Sequence, residues 1–199
     1  MSEPFESEAT PDKSAREKFH LQNTNAIMWT LLAVLVGAAI YMVADVTPLP
    51  YLALGLFSLG LTPALAVIAT IGAIRGPIAG FLAGYIGELT VSIFLTGGLV
   101  SYSLYGIAIG VLGLITGLSS YDFASGRSLA KLSALSAVGL LFTALITAVI
   151  GLFVEQVATL VAIGFQILPL LTLGLPTVIL LTPLLARLWS VVSVRSPWP

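Results

Sequence analysis

The chain contains no cysteine and only one histidine. Without cysteine it can form no disulfide framework, no thiolate metal site and no cysteine nucleophile. The histidine, His20, lies in a polar N-terminal segment. This position argues against a zinc or haem site, because such sites need several ligands or a buried one. We therefore expect no metal and no cofactor.

Motifs for nucleotide hydrolysis and for nucleic-acid binding are also missing. No segment matches the GxxxxGK[ST] loop that cradles phosphates, so the chain is not expected to hydrolyse ATP itself. The net charge is −1, and the basic residues are too scattered to form a nucleic-acid surface.

Apolar residues are abundant instead. They make up 58% of the 199 residues, charged residues make up only 9%, and the mean hydropathy is +1.07. Apolar runs of about 20 residues suit helices that cross about 30 Å of hydrocarbon. We expect an all-α, multi-pass membrane protein.

The runs predict six membrane-spanning helices within a transmembrane domain at 26–192, between a flexible polar tail at 1–25 and a short tail at 193–199. Pro63 predicts that the second span is kinked or interrupted. A partly helical loop is expected at 155–168. The predicted spans are approximately 27–44, 51–73, 77–96, 101–118, 130–153 and 170–190.

The basic residues test this count, because cytoplasmic loops are enriched in Lys and Arg. With six spans, all eight basic residues fall on one side of the membrane, and the opposite loops carry only Asp45 and Glu155. With five or seven spans the basic residues would lie on both sides of the membrane. We therefore predict six spans with both termini in the cytoplasm. The eight residues are Lys13, Arg16, Lys18, Arg75, Arg127, Lys131, Arg187 and Arg195.

Glycines recur at steps of three or four in the third and fourth spans. Small residues at this spacing let membrane helices approach closely. We expect these two spans to pack tightly in the middle of the bundle. The glycines are Gly76, Gly80 and Gly84 in the third span and Gly106, Gly110, Gly113 and Gly117 in the fourth.

One carboxylate, Glu88, interrupts the third span. It lies twelve residues after Gly76, or about 18 Å along the helix. An ionised acid at such a depth costs about 2.5 to 3.5 kcal/mol on insertion scales, and no intramembrane cation offsets that cost. Three explanations are open: protonation with hydrogen bonds from Tyr85, Ser92 or Gln166, a wet cavity, or a ligand.

Aromatic residues are predicted at the level of this acid: Tyr41, Tyr51, Phe57, Tyr102 and Tyr105. Taken singly, interfacial tyrosines are commonly membrane anchors. Taken together, they offer faces that can stack on a flat ring. Aromatic walls with one carboxylate are typical of small-molecule sites.

The strings TPLPYLALGLF, AIRGPIAGFLAGYIGEL and YGIAIGVLGLITGL resemble the substrate-binding S component of energy-coupling factor (ECF) transporters. The resemblance spans about residues 27–190. It implies a six-helix membrane bundle with a short second helix that captures a vitamin or related micronutrient from outside. A separate transmembrane coupling protein and two ATPase subunits would drive transport.

The resemblance also implies roles for particular residues. Ala33 and Gly37, four apart on the first helix, correspond to the small residues that contact the coupling protein. The regions that shape the family's pocket contain Tyr51, Glu88, Ser92, Tyr102, Tyr105, Glu155 and Gln166.

Two other functions fit the same residues. One is a non-transporting scaffold of a membrane assembly, and the other is a stand-alone proton-coupled carrier in which Glu88 titrates. The carrier is less favoured because no inverted repeat is evident. An enzyme ranks last, because a lone buried carboxylate offers little chemistry. For a substrate, a cationic or amine-bearing ring and a neutral heterocycle both stay open.

Overall fold

Helices form nearly all of the chain that the computed structural model describes, which comprises residues 24–46, 52–54, 57–59, 62–96 and 100–195. The prediction of an all-helical chain is confirmed for these residues, apart from one small hairpin. The long helices are α1 (Thr24–Val46), α2 (Pro63–Arg75), α3 (Pro77–Thr96), α4 (Val100–Gly117), α5 (Gly126–Val149) and α6 (Leu168–Arg195).

Within the part of the chain that the structure describes, four segments are long and apolar enough to cross a membrane: Thr24–Asp45, Pro77–Phe94, Gly126–Val154 and Thr159–Val192. The apolar helices Pro63–Arg75 and Leu104–Gly117 are shorter. Large apolar side chains are exposed along several helices, for example Met28 at 64% and Leu31 at 61% on α1. Apolar surface of this extent is typical of contact with a membrane.

The prediction of a second span over 51–73, kinked or interrupted at Pro63, is confirmed in the interruption and wrong for the described residues before it, which are not helical. Strands β1 (Leu52–Leu54) and β2 (Phe57–Leu59) instead pair antiparallel, with Leu52 opposite Leu59. Pro63 begins α2 and does not kink a longer helix. The reason is that proline lacks an N–H, which costs nothing in the first helical turn but breaks a hydrogen bond further in.

Helix α2 is central in the bundle, where it contacts α1, α3, α4 and α6. The closest helix pair is α3 and α4, which approach through facing glycines. Gly80 lies against Gly113, and a Cβ on Gly84 would be 3.0 Å from the Gly110 Cα. Gly106 lies against the Tyr85 backbone.

Gly76 has a second role besides the packing predicted from the sequence. Its φ of 92° is in the left-handed region that favours glycine, and its N–H donates to the Gly72 carbonyl at 2.8 Å. It therefore ends α2 and allows the sharp turn into α3. Gly117 packs directly on the Gly76–Pro77 junction.

Proline inside α6 is accommodated by a neighbouring helix. Pro183 cannot donate to the Ile179 carbonyl. The Ser133 Oγ, from α5, donates to that carbonyl at 2.9 Å. A polar side chain on α5 thus satisfies a backbone group that α6 leaves open, as membrane helices require.

The alternating helices place the described basic residues at one end of the bundle. We call the end with Arg75, Arg127, Lys131 and Arg187 the basic end. The opposite end, to which α1, α3 and α5 run, is the acidic end. It carries Asp45, Glu88 and Glu155, together with the β1–β2 hairpin.

Candidate functional site

Glu88 faces the interior of the bundle. Its neighbours on the same face of α3, at positions −4, −1, +3 and +4, are all buried: Gly84, Gly87, Val91 and Ser92. Glu88 itself is half-buried. The carboxylate is therefore inside the bundle near the acidic end and not among surrounding acyl chains.

Tyr41 holds this carboxylate from the neighbouring helix α1. Its hydroxyl donates to the Glu88 Oε2 at 2.6 Å, and its side chain is only 2% exposed. The ring fits because Gly87 has no side chain, and a Cβ there would be 2.8 Å from the ring. Asp45 lies one turn beyond Tyr41 on the same face of α1.

The level predicted for Tyr41 from the sequence is correct, since its hydroxyl reaches Glu88. The hydrogen bond itself was not predicted, because Tyr41 was treated as one of several aromatic residues at the outer ends of the spans. In the structure Val34, Ala38 and Tyr41 form one buried stripe at helical intervals on α1.

Ser92 supplies the second contact to Glu88. Its Oγ lies 3.5 Å from the Glu88 Oε1, at the limit for a hydrogen bond, and the residue is 3% exposed. An ionised carboxylate accepts up to about four hydrogen bonds. One short bond and one long bond therefore leave Glu88 with capacity to accept more.

A second polar cluster joins Tyr105, Glu155 and Gln166, which come from α4, from the end of α5 and from the approach to α6. The Tyr105 hydroxyl donates to the Glu155 Oε2 at 2.8 Å. The Gln166 Nε2 donates to the Tyr105 Oη at 3.1 Å and to the Glu155 Oε2 at 3.3 Å. These three residues were predicted from the resemblance, and the structure brings them together.

Irregular backbone surrounds this cluster. The α5 helix continues as wide π-helical turns at Ile150–Val154, and similar turns at Ala162–Ile167 lead into α6. Between them Gln156 has a φ of 53°, which is uncommon for a residue with a side chain. π-helical turns of this kind are frequent at functional sites.

Gly151 makes room for the Gln166 amide. A Cβ at this position would overlap the Gln166 Oε1 and lie 3.1 Å from its Cδ. That Oε1 atom is buried and has no hydrogen-bond partner among the described residues. The cluster therefore contains an acceptor that its own chain leaves unused.

Helix α2 is short and does not extend to the acidic end of the bundle. Its first turn lies level with Thr177, about a third of the way along α6, since the Thr62 N–H donates to the Thr177 Oγ1 at 2.9 Å. Thr177 is nine residues after Leu168, or about 14 Å along α6. Helices α1, α3, α4 and α6 extend beyond this level towards the acidic end.

The remaining predicted residues have other positions. The side chains of Tyr51, Phe57 and Tyr102 lie outside the described part of the structure. Gly37 is buried against Ile71 and Ala83 of the same chain. It therefore packs within the bundle, and we withdraw it from the proposed partner surface. Ala33, on the same side of α1, is half-buried.

An apolar depression of about 310 Å³ lies elsewhere, at the basic end between α3 and α4. It is lined only by apolar residues, among them Pro77, Phe81 and Leu118. Because it offers no polar group to orient a solute, we place the candidate site at Glu88 instead. The described residues contain no group of three or more His, Cys, Asp or Glu side chains that could hold a metal ion.

Comparison with known proteins gives partial matches. A UPF0397 protein of Aliivibrio fischeri strain MJ11 is 33% identical over 90 residues, which is 45% of this chain and 46% of the relative. A UPF0397 protein of Aliivibrio salmonicida is also 33% identical over 90 residues, and one of Vibrio atlanticus is 32% identical over 90 residues.

No family model and no solved structure matches the chain. The chain spans about half the length of these relatives, and the match covers 46% of the Aliivibrio fischeri strain MJ11 protein. The chain is thus similar to UPF0397 proteins over a little less than half of its length.

Proposed function

We propose that this chain is the substrate-capturing subunit of an ECF-type importer. In this proposal six helices span a prokaryotic plasma membrane, both termini are cytoplasmic, and a small ring-containing solute enters from the acidic end. A separate transmembrane coupling protein and two ATPase subunits supply the energy, because the chain has no nucleotide-binding motif of its own.

The observation that carries the proposal is the position of Glu88. A carboxylate inside an apolar helix bundle is costly, and intramembrane acids are expected to be functional. Glu88 has one short hydrogen bond and one long one, so it can still accept a donor from a solute. The short α2, the glycine-packed α3 and α4, and the Tyr105 cluster also fit the resemblance to the S component.

Purification from the native membrane tests the proposal. The chain would be extracted in mild detergent and analysed by native mass spectrometry. We expect a complex that contains a second membrane protein and two ATPase subunits, and a retained small molecule on a fraction of the chain. Recovery of the chain with neither ATPases nor a solute would contradict the proposal.

A second candidate is a non-transporting scaffold, and the Tyr41–Glu88 hydrogen bond favours it. That bond satisfies part of the carboxylate from within the chain, which a purely structural acid would require. The same purification separates the two candidates, because a scaffold would co-purify with a membrane assembly but retain no solute. Solute uptake by the purified chain alone in liposomes would instead indicate a carrier.

A further inference from the structure

The tyrosine and amide donors of the two polar clusters, as far as the structure describes them, are already engaged within the chain. Tyrosine has a single hydroxyl proton. Tyr41 gives its proton to Glu88, and Tyr105 gives its proton to Glu155. The Gln166 amide nitrogen donates to Tyr105 and Glu155.

Acceptors, in contrast, have spare capacity. Both hydrogen bonds to Glu155 end on its Oε2. The Glu88 Oε1 has only the long contact from Ser92, at 3.5 Å. The Gln166 Oε1 is buried without a partner among the described residues.

The orientation of the Gln166 amide is fixed by its neighbours. If the amide were turned over, its oxygen would face the Glu155 Oε2, and two acceptors would then repel each other. The nitrogen must therefore point to Glu155, as it does at 3.3 Å. The unused amide atom is consequently an acceptor.

The charged residues at the acidic end also disfavour a solute with an anionic group. Where side chains are described, the acidic end holds Asp45, Glu88 and Glu155 and no Lys, Arg or His. Arg75 ends α2 at the basic end, and Glu88 lies eleven residues after Pro77, the first residue of α3, or about 17 Å along that helix. A carboxylate or phosphate on a solute would meet like charges in a low-dielectric site, which is strongly unfavourable.

We infer that the captured solute is a hydrogen-bond donor without an anionic group: an amine, a ring N–H or a set of hydroxyls on a neutral or cationic molecule. This inference rests on the proposed function, because it assumes that a solute binds at the acidic end. It predicts that the site binds the carboxylated or phosphorylated form of its ligand more weakly than the ligand itself.

Matched pairs of compounds test the inference on the full-length protein in detergent. The probes are nicotinamide with nicotinate, and thiamine, pyridoxamine and riboflavin each with its phosphate ester. Binding is measured by the shift in thermal unfolding midpoint and by isothermal titration calorimetry. We expect at least one non-anionic member to bind, with its anionic counterpart at least about tenfold weaker, a difference of about 1.4 kcal/mol.

The outcomes separate the inference from the proposed function. If an anionic member binds as tightly as its partner or more tightly, the inference is wrong and the solute-capturing role stands. If no probe binds and native mass spectrometry finds no retained solute, the proposed function fails, and the inference fails with it. A retained solute identified by accurate mass as a carboxylate or phosphate also overturns the inference alone.

Variants test whether the two acids cause the selectivity. Glu88→Gln and Glu155→Gln each remove a charge and add an amide donor. We expect each to reduce the ratio of the two affinities in the best pair by several-fold. Asp122→Asn, on the exposed loop between α4 and α5, is the matched control and should leave the ratio unchanged. If the ratio of affinities is unchanged in both glutamate variants, the two acids do not cause the selectivity.

Discussion

At the residue scale, the Tyr41–Glu88 bond is the contact on which the interior acid most depends. Tyr41→Phe removes the donor that lies 2.6 Å from the carboxylate but keeps the buried ring. We expect a loss of about 1.5 to 3 kcal/mol in the free energy of unfolding, the usual range for a hydrogen bond to a charged group. The measurement is reversible unfolding in mixed detergent micelles.

The control for this variant is Tyr85→Phe on α3, which keeps the ring that stacks on Phe81 at 6.2 Å. It should cost less than Tyr41→Phe. Equal stability of Tyr41→Phe and the wild type would show that the short bond contributes nothing.

A second residue-scale prediction concerns the space occupied by the Gln166 amide. Gly151→Ala would place a methyl group on the Gln166 Oε1, so the amide must move away from Tyr105 and Glu155. We expect a loss of about 1 to 3 kcal/mol, as for other overpacked sites. Gly164→Ala is the matched control, because a Cβ there meets nothing within 4 Å. Equal stability of the two variants would contradict this account of the cluster.

Tyr121 gives a prediction for alkaline pH. It lies in the loop between α4 and α5, where its hydroxyl donates to the Thr116 carbonyl at 2.8 Å, and burial raises its pKa from 10.0 to about 12. Between these values the folded chain keeps a proton that the unfolded chain loses, so stability falls as pH rises. The unfolding midpoint of the wild type should therefore fall more steeply over this window than that of Tyr121→Phe. Parallel curves would contradict the prediction.

At the element scale, Ser133 and Pro183 should be coupled, because Ser133 donates to the carbonyl that Pro183 leaves open. Ser133→Ala should cost about 0.6 kcal/mol, the average for such bonds between membrane helices. In a Pro183→Ala background the backbone N–H is restored, and the cost of losing Ser133 should approach zero. A double-mutant cycle measures this coupling, and additive effects would refute it.

Sequence patterns predicted some elements well and others poorly. The bounds of α3 were predicted at 77–96, as found, since Pro77 marks its start and the apolar run after it carries Glu88 as its one charge. The run before Pro63 was taken for helix because apolar residues without periodicity suit either helix or strand. Composition does not specify that β1 pairs with β2.

The site was predictable only in part for a similar reason. Glu88 is conspicuous because it is a charge within an apolar run, and that signal is local. The bond from Tyr41 joins residues 47 positions apart, so it depends on how α1 packs against α3. Likewise, Gly37 is small enough for a partner helix, but only the packing shows that Ile71 and Ala83 already cover it.

At the scale of the whole molecule, the proposed topology can be tested because the natural chain has no cysteine. Ser120→Cys and Ala158→Cys place single thiols in exposed connections at the basic and acidic ends. A membrane-impermeant maleimide added to intact cells should label Ala158→Cys and leave Ser120→Cys unlabelled until the cells are opened. Labelling in the reverse pattern would invert the proposed orientation.

The central claim is that Glu88 binds the captured solute, and equilibrium binding of the solute retained by the native protein tests it most directly. Glu88→Gln replaces the carboxylate by an amide and so loses a hydrogen bond to a charged group, which contributes about 1.5 to 3 kcal/mol. We predict that its affinity for that solute is about 10-fold to 100-fold weaker than that of the wild type. Affinity equal to the wild type in a folded Glu88→Gln protein would contradict the claim.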